Sequence, residues 1–250
     1  MHPGKGPLSI SLGLFEDGAC RSAAENMACD EVLLRRLQMP LLRIYSWRSP
    51  AVSLGYFVDW EEGLTESGRE LVRRWTGGGL VLHEPDGSAP TYSLLIPRGH
   101  PWHSLRPREL YRMVHSRLAK VLEWRRIPAE LHLGPEARPG GWCFQEASVY
   151  DIVARDHGAK IAGAGQRRTR QGTLLQGNLR ARLGEGWARE FAAALDPGWK
   201  LVGAGDFPCI DNEVDRCVRD RYGTDAWLRG LRGEALGSTA PGCVAAGPSP

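Results

Sequence analysis

The amino-acid sequence predicts an α+β fold in which helices pack against a mixed, mostly antiparallel sheet. Segments with the apolar content of strands cluster at residues 41–56, 71–96 and 142–179, and they do not alternate strictly with helices. Clustered strands favour a mixed or antiparallel sheet over a doubly wound parallel one. Residues 22–38 and 108–124 instead carry apolar side chains at the spacing of amphipathic helices.

The first half of the chain is predicted to begin with a loop and a short entry segment over residues 1–18. A helix over 22–38 follows, and Pro40 ends it because proline cannot continue a helix. Apolar runs between turn residues then predict five strands. These strands are placed at residues 41–47, 51–56, 71–75, 80–83 and 91–96.

The second half combines a helix at 108–124 with a further strand region and two later helices. A hairpin is predicted from strands at 149–154 and 160–166 around Asp156-His157-Gly158, with another strand at 172–179. The later helices are predicted at 186–195 and at 212–231, the second broken near Gly223. No repeat or linker is evident, so residues 1–232 are predicted to form one domain and residues 233–250, rich in small residues, a flexible tail.

Composition excludes several classes of function. A hydrophobic content of 42% and a charged content of 24% are typical of globular proteins, and a net charge of +3 is too small to indicate nucleic-acid binding. No apolar run approaches the roughly 18 residues of a membrane span. The six cysteines form no CxxC pair and have no zinc spacing, so we predict a cytoplasmic protein with reduced thiols and no metal site.

The segment 73–83, which reads RRWTGGGLVLH, is the most informative stretch. Three consecutive glycines weaken a strand, but they allow the backbone to approach a ligand closely, with amides facing a carbonyl or phosphate oxygen. Arg73 and Arg74 add donors for an anion. The pattern is neither a dinucleotide fingerprint nor a P-loop. A plain glycine bulge between two strands is the alternative interpretation.

Several motifs, in one order, resemble those of the lipoate–protein ligase and octanoyltransferase family. Segment 73–83, followed by Tyr92-Ser93, resembles its RRx(S/T)GGGxVxH…(Y/F)S signature. The other similar segments are 26–31 (NMACDE), 45–55 (YSWRSPAVSLG), 160–168 (KIAGAGQRR) and 172–177 (GTLLQG). The chain is therefore identified as a member, which implies the biotin/lipoate ligase catalytic-domain fold for residues 1–232. The GRGRxGR-type motif of biotin ligases, which share that fold, is absent.

The resemblance also implies a set of site residues. Lys160 would lie beside the acyl carbonyl or the acyl-adenylate phosphate and stabilise its charge. The acyl or adenylate group would be bound by Arg73, Arg74, Thr76, Gly77, Gly78, Gly79, His83, Gly163 and Gln166. From the residues alone, Lys160 could equally be an exposed strand-end lysine, and His83 a histidine bonded to backbone. We expect Asp30 and Glu31 to be exposed helix charges.

Cys143 bears on the type of reaction. Residues 143–151 (CFQEASVYD) resemble the CFxxPSxY(E/D) stretch of LipM-type octanoyltransferases, in which the cysteine is the nucleophile; Ala147 replaces the usual proline. LipB-type transferases carry their cysteine after the lysine strand, where residues 172–177 contain none. The complete glycine triplet is instead typical of ATP-dependent ligases. A half-buried structural cysteine is the other interpretation of Cys143.

The resemblance implies that the chain attaches an octanoyl or lipoyl group to the acceptor lysine of lipoyl domains. Transfer from octanoyl-acyl carrier protein would need no cofactor, whereas a ligase would use ATP and Mg with free lipoate or octanoate. The acceptors would be 2-oxoacid dehydrogenase E2 subunits or the glycine cleavage H protein, and neither nucleic acid nor membrane is an expected partner. A non-catalytic member that only binds an acyl group or a lipoyl domain is the third hypothesis.

Overall fold

The structure, a computed structural model, describes residues 11–135 and 144–230. The strands are β1 Gly13–Arg21, β2 Leu41–Trp47, β3 Ala51–Leu54, β4 Glu70–Arg73, β5 Leu80–His83, β6 Thr91–Pro97, β7 Ala129–Leu131, β8 Ile152–Ala154, β9 Lys160–Arg168, β10 Gly172–Leu179 and β11 Lys200–Leu201. The helices are α1 Ala23–Arg36, α2 Pro101–Ser104, α3 Pro107–Trp124, α4 Trp187–Leu195, α5 Ile210–Cys217 and α6 Asp225–Leu228. The predicted α+β class is confirmed.

Eight of these strands form one sheet in the order β11-β1-β2-β6-β10-β9-β8-β7. The pairings of β1 with β11 and with β2 are parallel, and the other described pairings in this sheet are antiparallel. The sheet is therefore mixed and mostly antiparallel, as predicted. Strands β6 and β10 are buried along their whole length at its centre.

A separate sheet of three strands, in the order β4-β3-β5, carries the glycine-rich segment. Strand β3 pairs in parallel with β4 and antiparallel with β5. Residues 74–79 connect the end of β4 to the start of β5, so the glycines lie at the strand ends of this small sheet. The sequence predicts these three strands but not their separation from the large sheet.

Helices cover both faces of the large sheet and divide the core into two main layers. One layer contains the apolar faces of α3 and α4, including Leu118 and Phe191, and the other contains α1 and α5, including Leu33 and Val214. Helix α1 begins with a capping box, in which the Ser22 and Glu25 side chains each accept from the other residue's backbone N–H. No described helix is long and apolar enough to cross a membrane.

Two expectations from the sequence are wrong. Of the loop and short entry segment predicted over residues 1–18, the described part is mostly strand, since β1 begins at Gly13, and its mixture of charged and small residues hides the strand period. Asp30 and Glu31 are fully buried rather than exposed, because the sheet covers one side of α1 and the segment 210–222 covers another. Asp30 accepts from Arg43 Nη1 at 2.7 Å, and Glu31 accepts from the Tyr222 hydroxyl at 2.7 Å.

Smaller differences concern element bounds. The predicted strand at 149–154 is shorter, covering Ile152–Ala154, and the predicted helix at 212–231 is divided into α5, a π-helical turn at Val218–Tyr222, and α6. Residues 1–10, 136–143 and 231–250 lie outside the described ranges. The predicted tail at 233–250 and the boundary of the domain at residue 232 therefore stay predictions.

Candidate active site

A cavity of about 840 Å³ lies where the glycine-rich segment faces the large sheet. Its walls are formed by β9, β10, the end of β5, the start of α3 and the segment 144–151. Several predicted site residues line it together, namely Arg74, Gly78, Gly79, His83, Lys160, Gly163 and Gln166. The fold thus brings separate sequence motifs to one place.

Lys160, the first residue of β9, forms an ion pair inside this cavity. Its Nζ lies 2.7 Å from Asp151 Oδ2, and the two side chains are only 9% and 1% exposed. Asp151 is held in turn by two further donors, the Ser148 backbone N–H at 2.7 Å and the Tyr111 hydroxyl at 2.5 Å. Lys160 is therefore a largely buried charge with a fixed partner, not an exposed lysine at a strand end.

Gly163 provides the space in which the Lys160 side chain lies. A Cβ at Gly163 would be 2.6 Å from Lys160 Cε, 2.9 Å from Nζ and 3.0 Å from Asp151 Oδ1. The next residue, Ala164, donates its backbone N–H to the Tyr111 hydroxyl at 2.9 Å. Tyr111 thereby ties α3 to β9 while it positions Asp151.

The glycine-rich segment is braced by Arg74. The Arg74 guanidinium donates to the carbonyl oxygens of Gly77 at 2.8 Å, Gly79 at 2.9 Å and Ser53 at 2.8 Å. Gly78 has φ +93°, which side-chain-bearing residues rarely adopt. A Cβ at Gly165 would be 2.4 Å from the Gly77 carbonyl oxygen. The segment therefore packs directly against β9; this contact requires glycine at residue 165, and the backbone conformation favours glycine at residue 78.

Two other predicted residues, Thr76 and Gln166, hold neighbouring elements together. The Thr76 hydroxyl donates to Gln176 Oε1 at 2.7 Å, and Gln176 Nε2 donates to Asp30 Oδ2 at 2.7 Å. Thr76 is fully buried and is not among the residues that line the cavity. Gln166 does line it, and its Nε2 donates to the Pro107 carbonyl oxygen at 3.1 Å.

Arg73 is directed away from the cavity. Its guanidinium donates to the carbonyl oxygens of Val58 at 2.6 Å, Gly55 at 3.0 Å and Leu228 at 2.9 Å. Side chains of adjacent residues in a strand point to opposite faces, which explains why Arg74 lines the cavity and Arg73 does not. Through these hydrogen bonds, Arg73 links the small sheet to α6.

His83 forms a neutral polar corner of the cavity. Its Nε2 lies 2.8 Å from Ser53 Oγ, and its ring stacks on Trp47 with centroids 3.8 Å apart. Burial, together with the positive charges of Arg74 and Arg69, holds the His83 pKa well below its ordinary value. His83 is therefore an uncharged imidazole near neutral pH.

The sequence did not single out Asp151 and Tyr111 as site residues. Asp151 ends the cysteine motif at 143–151, so that motif could have identified it, whereas Tyr111 carries no signal beyond its place on an amphipathic helix. Cys143 itself lies outside the described residues. Phe144, which follows it in the chain, lines the cavity with its ring centre 5.4 Å from Lys160 Nζ. Among the described residues, no cluster of His, Cys, Asp or Glu is arranged to hold a metal ion.

The fold, together with a cavity between Lys160 and the glycine-rich segment, defines a class of protein. Comparison with known protein families identifies this class. Residues 22–195 match the lipoyl protein ligase A/B catalytic domain, and the chain belongs to this family. It is 34% identical over 172 residues to a protein named octanoyltransferase LipM from Oceanobacillus iheyensis, an overlap of 65% of this chain and 61% of that relative. The chain thus spans about three fifths of the length of the curated relatives it matches.

Solved structures share the fold at lower sequence identity. Lipoate-protein ligase A bound with ATP matches with a TM-score of 0.65 and 20% identity, over 90% of this chain and 100% of that one. A bi-partite lipoate protein ligase from Thermoplasma acidophilum, described with its E2 lipoyl domain, matches with a TM-score of 0.59 and 18% identity, over 91% and 99% of the two chains. These likenesses support the predicted fold.

Proposed function

We propose that the protein transfers an octanoyl group from octanoyl-acyl carrier protein to the acceptor lysine of a lipoyl domain. The observation that carries this proposal is the Lys160–Asp151 ion pair, fixed at 2.7 Å in a cavity whose other wall is the glycine-rich segment. The relatives named octanoyltransferase support transfer over ligation.

Lys160 would act through its charge. An ammonium has three N–H donors and no acceptor, and Asp151 accepts one of them. The remaining donors can bond the carbonyl oxygen of the acyl group as it becomes negative during attack. Asp151 and Tyr111 hold the ammonium in place beforehand, so little rearrangement is needed at the moment of reaction.

Cys143 would be the nucleophile in a two-step transfer. Its sulfur attacks the thioester carbonyl, a new sulfur–carbon bond forms, and the carrier leaves as its thiol after taking up a proton. The acceptor lysine amine then attacks the Cys143 thioester, which gives the amide and returns the cysteine thiol. This sequence consumes neither ATP nor a cofactor, and a cation such as Lys160 beside the sulfur would favour the thiolate.

The acceptors would be lipoyl-domain proteins, either E2 subunits of 2-oxoacid dehydrogenases or the glycine cleavage H protein. The structurally similar ligase from T. acidophilum is described with its E2 lipoyl domain, which is consistent with this class of acceptor. The acceptor lysine would enter the cavity beside Lys160 and meet the acyl group there.

An ATP-dependent ligase is the second candidate. The complete triplet Gly77-Gly78-Gly79 favours it, since this pattern is typical of ligases, and a structure with the same fold binds ATP. A ligase would use free lipoate or octanoate together with ATP and Mg.

Intact-mass spectrometry of the acceptor separates the two candidates. The full chain is incubated with apo lipoyl domain and either octanoyl-acyl carrier protein without ATP, or free octanoate with ATP and Mg. We expect the lipoyl domain to gain an octanoyl group in the first mixture. Modification in the second mixture alone would show a ligase, and modification in neither would leave only acyl or lipoyl-domain binding.

A further inference from the structure

A group of arginines lies at one end of the sheet. Elsewhere, arginines are commonly paired with carboxylates, as in Arg125–Glu190 and Arg229–Glu62. Several arginines have no carboxylate at salt-bridge distance within the ranges 11–135 and 144–230, and six of them lie around the start of α3 and the turn between β9 and β10. These six, called here the arginine face, are Arg98, Arg106, Arg112, Arg167, Arg168 and Arg170.

Contacts between elements bring these arginines together. The Arg168 side chain donates to the Leu105 carbonyl oxygen, next to Arg106, and the Arg98 backbone N–H donates to the Gln171 carbonyl oxygen at 2.8 Å, next to Arg170. Partial burial and then the charges of Arg168 and Arg98 lower the pKa of His103, which lies between them. Positive charge is therefore in excess here, although one carboxylate, that of Glu109, accepts from the Arg106 backbone N–H at 2.8 Å.

The arginine face borders the mouth of the cavity. Gln166 Nε2 donates to the Pro107 carbonyl oxygen at 3.1 Å, and both residues line the cavity. Arg167 follows Gln166 in β9, and its guanidinium lies 4.6 Å from the ring centre of Tyr56 and 5.6 Å from that of Trp75. The Arg112 guanidinium lies 5.7 Å from the ring centre of Tyr150, which also lines the cavity. A partner bound on this face could therefore present a flexible arm to Lys160.

We propose that the arginine face is the docking surface for the acidic carrier protein that delivers the acyl thioester; this inference rests on the proposed transferase function. An excess of positive charge attracts an acidic partner and accelerates its association. The carrier's pantetheine arm bears a phosphate, which arginine binds well. The acceptor, in contrast, must present a lysine cation, which the same charges repel. The electrostatics of this face thus favour the donor over the acceptor.

Charge reversal on the arginine face tests the proposal. Arg168→Glu/Arg170→Glu is compared with Arg216→Glu/Arg219→Glu, on α5 and the π-helical turn after it, which changes the net charge equally at two other exposed arginines. We expect the first variant to raise the Kd for octanoyl-acyl carrier protein at least about tenfold at low salt, and the control to leave it within about twofold. The rate with octanoyl-pantetheine, a donor without protein or phosphate, should be unchanged in both variants.

An unchanged Kd in Arg168→Glu/Arg170→Glu would overturn the proposal. It would also be overturned by weaker binding of the lipoyl domain with carrier binding intact, or by an equal loss of rate with octanoyl-pantetheine. Because the Kd is measured in a Cys143→Ala background, where no acyl group passes to the cysteine, it tests docking even if the native chain transfers no acyl group. Absence of transfer from both donors by the native chain would instead contradict the proposed function.

Discussion

The Lys160 corner and the His83 corner of the cavity are both built from buried polar side chains, yet only the first contains a paired charge. Lys160 is matched to Asp151 at 2.7 Å, whereas His83 is kept neutral by burial and by nearby arginines, and it bonds Ser53 and stacks on Trp47. A fixed charge can stabilise a developing oxyanion, whereas the uncharged His83 ring stacked on Trp47 shapes the cavity without adding an ion of its own. The Lys160 corner would therefore carry the chemistry, and the His83 corner would determine the shape and polarity of the cavity.

Removal of the charge at Lys160 should have the largest effect. Lys160→Ala is expected to lower kcat by about 10²–10³-fold, the usual loss when one oxyanion donor is removed. Lys160→Arg should also fail, since a planar guanidinium does not reproduce the ammonium geometry. Steady-state transfer kinetics measure both, with Lys120→Ala on the exposed side of α3 as control. Near-normal activity of Lys160→Arg would contradict the role given to a point charge.

Filling the space at Gly163 should displace the same charge without deleting it. Gly163→Ala places a methyl group 2.6 Å from the present position of Lys160 Cε, so the ammonium must move. A displacement on the order of 1 Å can lower the rate by about 10²-fold. Gly18→Ala is the matched control, because nothing lies within 4 Å of a Cβ there. Equal activity of the two variants would show that the Lys160 position is not critical.

Tyr111→Phe should loosen the charged corner less severely. The variant removes the hydroxyl that donates to Asp151 and accepts from the Ala164 N–H. Loss of one hydrogen bond to a carboxylate costs about 1.5–3 kcal/mol, so we expect kcat to fall about tenfold with little change in KM. A rise in KM at constant kcat would place Tyr111 in substrate binding instead.

His83→Gln should change activity least and should alter the pH dependence of stability. The native His83 pKa lies well below 6.5, so as pH falls through 6.5 the unfolded chain gains a proton that the native protein does not. This one histidine makes the free energy of unfolding fall, by on the order of 1 kcal/mol, between pH 7.5 and 5.5. Denaturant titrations at both pH values should show that fall reduced in His83→Gln. An unchanged difference would mean that native His83 is protonated.

Local sequence patterns predict much of the fold but little of the contact geometry. Strands β2, β5 and β10 occur at the predicted residues, because each is an apolar run bounded by turn residues or proline. Strand β1 was missed, since it depends on distant partners in β2 and β11.

The motifs predict which residues meet at the cavity, but not how each one is oriented. Lys160 and Gly78 line it as expected, while Arg73 points away as strand alternation requires. The contact of Tyr111 with Asp151 joins residues 40 positions apart, so only tertiary packing reveals it. Likewise, burial of Asp30 follows from packing of α1 on both sides, which its modest amphipathicity does not indicate.

The mass of the enzyme itself after brief exposure to octanoyl-acyl carrier protein, without ATP or acceptor, tests the central claim most directly. The native chain is predicted to gain one octanoyl group at Cys143, Cys143→Ala none, and Lys160→Ala to gain it about 10²-fold more slowly. A native chain that gains no octanoyl group, or an adduct that persists in Cys143→Ala, would contradict transfer through a cysteine thioester at the charged corner of this cavity.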